Sequence, residues 1–145
     1  MSAERLIANL LRVGREDLDG ARVLTANKNR NAIYLCEQAA EKVIRAVLTP
    51  EGQHAGIKHH PDEMVDLVPD ESPLEPKLRD IEYLAAYATA YRYPTAEGRI
   101  KPAPAQDAIE QAIQKVADAL EAAANAHAVD LSRRDEPAGD ARPAR

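Results

Sequence analysis

The sequence predicts an all-α fold, an antiparallel bundle of four long helices plus one short helix. Three observations predict it. Apolar residues recur every three or four positions through most of the chain, the pattern of helices that bury one face. No stretch reads as a convincing strand, and no internal repeat is present. Alanine dominates the positions expected to be buried, and small side chains let helix axes approach closely.

The first helix is expected over residues 3–27. Its apolar stripe is Ile7, Leu10, Leu11, Gly14, Leu18, Ala21 and Leu24, with Arg12, Arg15, Glu16, Asp19 and Arg22 mostly on the other side. The segment NKNRN then breaks it, because asparagine favours turns and helix caps. A second helix runs from about Arg30 to Leu48, burying Ala32, Cys36, Ala39, Val43 and Val47. Glu41 and Arg45 lie opposite that stripe, at the spacing that lets them pair on the surface. Pro50 and Gly52 stop it. The short helix starts at Pro61 in HHPDEMVDLVP, since proline suits a first helical turn. The next long helix begins near Leu74 or Pro76. It carries Leu78, Ile81, Leu84, Ala85 and Ala88, and ends at the stretch YLAAYATAYRYPT. After the linker PTAEGRIKPAP, the last helix runs from about Pro104 to Ala128 on Ile109, Ala112, Ile113, Val116, Leu120 and Ala123. The helical body thus covers 3–128. Residues 129–145 are charged, lack an apolar period and are expected to be disordered.

Composition narrows the function. The chain has 145 residues, enough for one domain with a modest core, and a net charge of −5. That balance argues against binding nucleic acid by bulk charge, although a local basic pocket is compatible with it. One cysteine excludes a disulfide framework and a cysteine-rich zinc site. The opening MSAERLIANLLRVGRE meets charge within four residues and has no long apolar run. It reads as neither signal peptide nor membrane span, so a soluble cytoplasmic protein is expected. No phosphate loop, nucleophile elbow or dinucleotide fingerprint occurs, and no cofactor is expected.

Aromatic residues are scarce: five tyrosines, no Phe and no Trp. Four of the five lie between residues 83 and 93, around Arg92. Tyr83, Tyr87 and Tyr91 are spaced by four and form one ridge on a helix. The preferred reading is a semi-buried packing ridge or a dimer or partner contact; the alternative is a platform on which a base stacks. Arg92 continues the apolar face, and Pro94 discourages helix at Tyr93. Arg92 should therefore sit at a helix end. There it could reach a phosphate, a partner carboxylate or the last helical carbonyls. His54, His59 and His60, with Asp62 and Glu63, do not suggest a metal site, because an adjacent histidine pair in a loop does not converge. His127 and Cys36 read as structural.

Three stretches, NAIYLCEQAAEKVIRAVL, KHHPDEMVDLV and AYRYPT, together resemble the HEPN family (higher eukaryotes and prokaryotes nucleotide-binding domain) over roughly residues 3–128. The resemblance implies an antiparallel bundle that usually forms a homodimer. It also implies either a two-protein module with a small nucleotidyltransferase, of toxin–antitoxin type, or a metal-independent ribonuclease. The ribonucleases use an arginine followed, after four to six residues, by a histidine. Arg92 is followed at that spacing by Glu97, Gly98 and Arg99. The group that would take a proton from a ribose 2′-hydroxyl is missing. No catalytic residue is assigned, and the reading leans away from an enzyme. The expected function is a binding or regulatory module. Arg92, Tyr93, Lys42 and Arg45 contact nucleotide or phosphate in this reading. The alternatives are an RNA-cleaving toxin with an altered site, using His59 or His60, and a non-catalytic dimeric scaffold.

Overall fold

The computed structural model describes residues 2–51 and 61–133, and every regular element among them is helical. The helix α1 spans Ala3–Ala26, with the Ser2 hydroxyl accepting from the Arg5 amide at 3.2 Å as its N-cap. It buries Ile7, Leu11, Gly14, Leu18 and Ala21, the stripe expected from the sequence. The chain reverses at 27–30. Here Lys28 takes a left-handed φ of 55°, and the Asn29 side chain accepts from the Asn31 amide at 2.9 Å.

Helix α2, Asn31–Leu48, runs antiparallel to α1. Contacts fix the register. A Cβ built on Gly20 would lie 2.9 Å from Leu35 Cδ1, Asp17 pairs with Lys42, and Gly14 faces Ala39 and Lys42. At Gly14 a Cβ would meet Lys42 Cβ at 3.5 Å and the Ala39 carbonyl at 3.6 Å. Both are ordinary van der Waals distances, and small residues on the two helices let their axes approach. Alanines 32, 39, 40 and 46 are wholly buried along the same helix. The predicted Glu41–Arg45 pair forms at 3.4 Å.

Helix α3 is Pro61–Val65, beginning where the sequence placed it and burying Met64 and Val65. Helix α5, Gln106–Ala126, runs antiparallel to α1. The Gln106 amide donates to the Thr25 hydroxyl at 2.7 Å at one end, and the Arg12 guanidinium donates to the Asp130 carbonyl at 3.2 Å just past the other.

The region after Leu74 differs from expectation. One long helix was expected there; the chain forms a five-residue helix α4, Glu75–Arg79, and then a 3-10 helix, Glu82–Tyr87. The spacing of its largest buried residues is compatible with this tighter turn. Leu78, Ile81 and Leu84 recur at intervals of three and are almost fully buried. That interval is the 3-10 period of 3.0 residues per turn. The break is held by Arg79, whose guanidinium reaches Glu75 at 3.5 Å, Asp66 at 2.8 Å and Glu82 at 3.0 Å. The bundle thus has three long helices and the expected short helix α3, with α4 and the 3-10 helix in place of the fourth long one.

The C-terminal boundary also moves. Val129 and Leu131 pack against the core, so the packed body extends past residue 128. Residues 134–145, which hold most of the expected tail, lie outside the described residues, as do His54, His59 and His60.

Candidate functional site

A groove of about 380 Å³ opens where the end of α1, the start of α2 and the chain after the 3-10 helix meet. Leu24, Leu35 and Ala88 supply apolar surface, Tyr34, Tyr87 and Tyr91 supply rings, and Asn31 and Arg92 supply polar groups. No carboxylate lines it. A mostly apolar and aromatic lining with a few placed polar groups, at the small end of the usual size range, suits a small-molecule site. A larger depression, about 640 Å³, lies between α1 and residues 131–133. It carries charges of both signs, and its Arg12 is already bonded to Asn9 and the Asp130 carbonyl.

The groove is built by the irregular chain that replaced the fourth helix. Tyr87 closes the 3-10 helix, and the following turns bring Tyr91 alongside it. The two rings stack at a centroid distance of 6.0 Å and an interplanar angle of 15°. Tyr91 is buried, and burial raises its phenol pKa, with Tyr87 adding to the rise and Arg30 opposing it. Burial likewise raises Tyr83. Both phenols are therefore neutral at physiological pH and offer a ring and a hydroxyl, not a base.

Two further cations approach the Tyr91 ring. The Arg30 guanidinium lies 6.0 Å from its centroid and the Lys101 ammonium 5.9 Å. Neither residue was singled out by the sequence. Each sits alone in a connecting segment, and only the fold brings the α1–α2 turn and the loop before α5 to the same ring. Tyr34, the one tyrosine outside the cluster, was missed for the same reason. Glu37 was also missed. It is a carboxylate 1% exposed in the core face of α2, accepting from the Gln38 amide at 2.7 Å. Its position one turn after Ile33 looks like any other core position in the sequence.

The sequence-selected residues separate into groups. Arg92 lines the groove, but it follows a turn, its amide bonded to the Thr89 carbonyl at 3.3 Å, and is not at an α-helix end. Tyr93 is 79% exposed and does not line the groove. Lys42 is held 2.6 Å from Asp17 against α1, and Arg45 pairs with Glu41. Lys42 and Arg45 lie two or more turns along α2 from the Asn31–Leu35 wall and do not join Arg92 there. The expected tyrosine ridge is divided as well. Tyr87 and Tyr91 face the groove, whereas Tyr83 is 45% exposed with the Lys115 ammonium of α5 5.2 Å from its ring. The ridge assumed a helical period that this segment does not have.

A family model of the HEPN domain matches residues 7–126, which spans α1 to the last residue of α5. The chain belongs to the HEPN family. No curated protein and no solved structure matches it significantly. Within this HEPN bundle, Arg92 stands at the groove without the histidine that the family's ribonucleases place after it. No cluster of three or more metal-ligating side chains occurs among the described residues, and no described helix is long and apolar enough to cross a membrane.

Proposed function

We propose that this HEPN protein is a cytoplasmic binding or regulatory module. Its groove takes a nucleotide, the base against Tyr34 and the Tyr87–Tyr91 pair and the phosphate against Arg92. The observation that carries this reading is the pairing of an aromatic wall with a guanidinium that has no ion-pair or hydrogen-bond partner among the described residues. Stacking on aromatic rings accepts any base, and a guanidinium offers a fork that matches phosphate oxygens.

Calorimetric titration of the purified protein with AMP tests it. Binding is expected, and Arg92→Ala should weaken it about 10- to 100-fold, since a hydrogen bond to a charged group contributes about 1.5–3 kcal/mol. Arg92 is exposed, so the variant should keep the parent's melting temperature. Equal AMP affinity in parent and variant would remove Arg92 from the site.

The same reading carries a homodimer, with a small nucleotidyltransferase as the regulated or regulating partner. The half-exposed Tyr83 and the exposed Leu67 and Ile100 supply apolar surface for such contacts. Light scattering on the purified protein should give twice the chain mass, and a monomer would refute the dimer. Tyr87 and Tyr91, expected as contacts, are committed to the groove in this reading.

A further inference from the structure

We infer that copies of this chain join head to tail, the turn after Pro94 on one copy docking on the acidic turn between α3 and α4 of the next. This contact is separate from a closed homodimer and does not depend on the nucleotide reading.

Residues 95–99 form a tight turn held by its own hydrogen bonds. The Thr95 amide donates to the Arg99 carbonyl at 2.8 Å, the Gly98 amide to the Thr95 carbonyl at 2.8 Å, and the Arg99 amide to the Thr95 hydroxyl at 3.1 Å. Gly98 takes a left-handed φ of 78°, and a Cβ built on it would meet nothing within 4 Å. The tip therefore stands clear of the body. At its base, Tyr93 and Ile100 are 79% and 69% exposed, the two barest large apolar side chains among the described residues. A turn already fixed loses little freedom on docking, and tyrosine and arginine are favoured at interfaces. Residues 92–101 carry Arg92, Arg99 and Lys101 against Glu97, a net charge of +2 in an acidic chain. The Arg99 guanidinium has no ion-pair or hydrogen-bond partner among the described residues.

A surface of matching character lies on the same chain. Residues 63–82 hold seven carboxylates against Lys77 and Arg79, a net charge of −5, equal to that of the whole chain. Arg79 is taken up by Asp66, Glu75 and Glu82. Asp70 and Glu71 are the exposed middle residues of a turn closed by the Ser72 amide on the Pro69 carbonyl at 3.0 Å. Their carboxylates have no partner among the described residues. Leu67, three residues before Asp70, is exposed as well. Apolar surface beside free carboxylates thus complements apolar surface beside a free guanidinium.

Turn against turn would set +2 on +2, and acidic face against acidic face would repel in the same way. The contact is therefore heterologous. Each copy that uses one surface keeps the other open, so association continues into a ring or an open chain. Leu67 and Ile100 are committed to this contact, which leaves Tyr83 to the closed dimer. A contact this small and this charged belongs with weak, transient interfaces.

Light scattering over a range of protein concentrations tests it. At about 10 mM salt, where charges act over about 30 Å, the mass should rise past twice the chain mass as concentration increases. At about 1 M salt, where that range is about 3 Å, the rise should be largely lost. Arg99→Glu should abolish the rise, and so should Asp70→Lys combined with Glu71→Lys. Tyr93→Ala, which leaves the charge unchanged, should reduce it. All four positions are exposed, so the variants should keep the parent's melting temperature. Mixed together, the two charge variants should gain mass that neither gains alone, because one still offers its acidic turn and the other its Tyr93 turn. A mass fixed at twice the chain mass at every concentration and salt would overturn the inference and leave the closed dimer standing. Growth that persists in either charge variant, or a mixture no heavier than its parts, would also overturn it.

Discussion

Leu11→Ala should destabilise the bundle by about 2–5 kcal/mol, the range for deleting a buried leucine whose site cannot fully collapse. Leu11 is wholly buried in the core cluster, on the helix that contacts both α2 and α5. Alanines, which have no flexible ends to move into the space left behind, recur through the core cluster to which it belongs. The cost should therefore include most of the cavity as well as the lost transfer free energy. Against a total stability of about 5–15 kcal/mol for a domain, this is a large share. The melting temperature should fall by roughly 10 °C. Val23→Ala on the same helix provides the contrast. Val23 is 62% exposed, and the change should stay within about 0.5 kcal/mol. Denaturant unfolding checks both. Similar midpoints for the two variants would show that α1 does not pack as described.

The second large effect is alkaline. Burial pushes the Cys36 thiol up from its ordinary 9.0 to about 12, partly opposed by Arg22. Below pH 9 the thiol is protonated in folded and unfolded chains alike and adds no pH dependence. Between pH 9 and 12 the unfolded chain releases this proton while the folded chain retains it. The unfolded state then binds fewer protons, so stability falls as pH rises. At about 1.4 kcal/mol per pH unit, the loss reaches on the order of 4 kcal/mol by pH 12. Cys36→Ala removes the titrating group at a packing cost that does not vary with pH. Tyr83 and Tyr91, whose phenols are also raised, titrate in both proteins. The difference between the two curves thus isolates the thiol. The variant should be less stable than the parent at pH 7, and the gap should close between pH 9 and 12. A gap constant across that range would mean that the folded protein ionises Cys36 freely.

The helical reading was legible wherever one face of a long helix does all the burying. In α1 and α2, apolar spacing of three and four residues continues for several turns, and the NKNRN segment falls at the observed reversal. It was least legible at 74–92. There the spacing of Leu78, Ile81 and Leu84 fits a 3-10 turn as well as one face of an α-helix, and only the ion pairs of Arg79 with residues from 66 to 82 decide between them. That local difference spread to the site. Arg92 was recognised because an arginine among tyrosines stands out in a chain with few aromatics. Arg30 and Lys101 were not, because their relation to Tyr91 exists only after distant segments meet. Lys42 and Arg45 were chosen from the resemblance of the second-helix stretch, and the carboxylates that hold them belong to a different helix and to the preceding turn of the same one.

The approach of Arg30 and Lys101 to Tyr91 would tie any ligand of the groove to the completion of folding. Residue 30 precedes α2, whereas residues 91 and 101 follow α4 and the 3-10 helix, so the cluster is absent until nearly the whole chain has found its place. An intermediate in which only α1 and α2 have paired would hold Arg30 but have no ring for it to meet. A nucleotide that binds the finished groove and no earlier form would slow unfolding of the entire bundle, and would do so without accelerating its assembly. In a cell, the supply of that nucleotide would then help set how long each molecule escapes proteolysis, making the protein's abundance itself a reporter of its ligand.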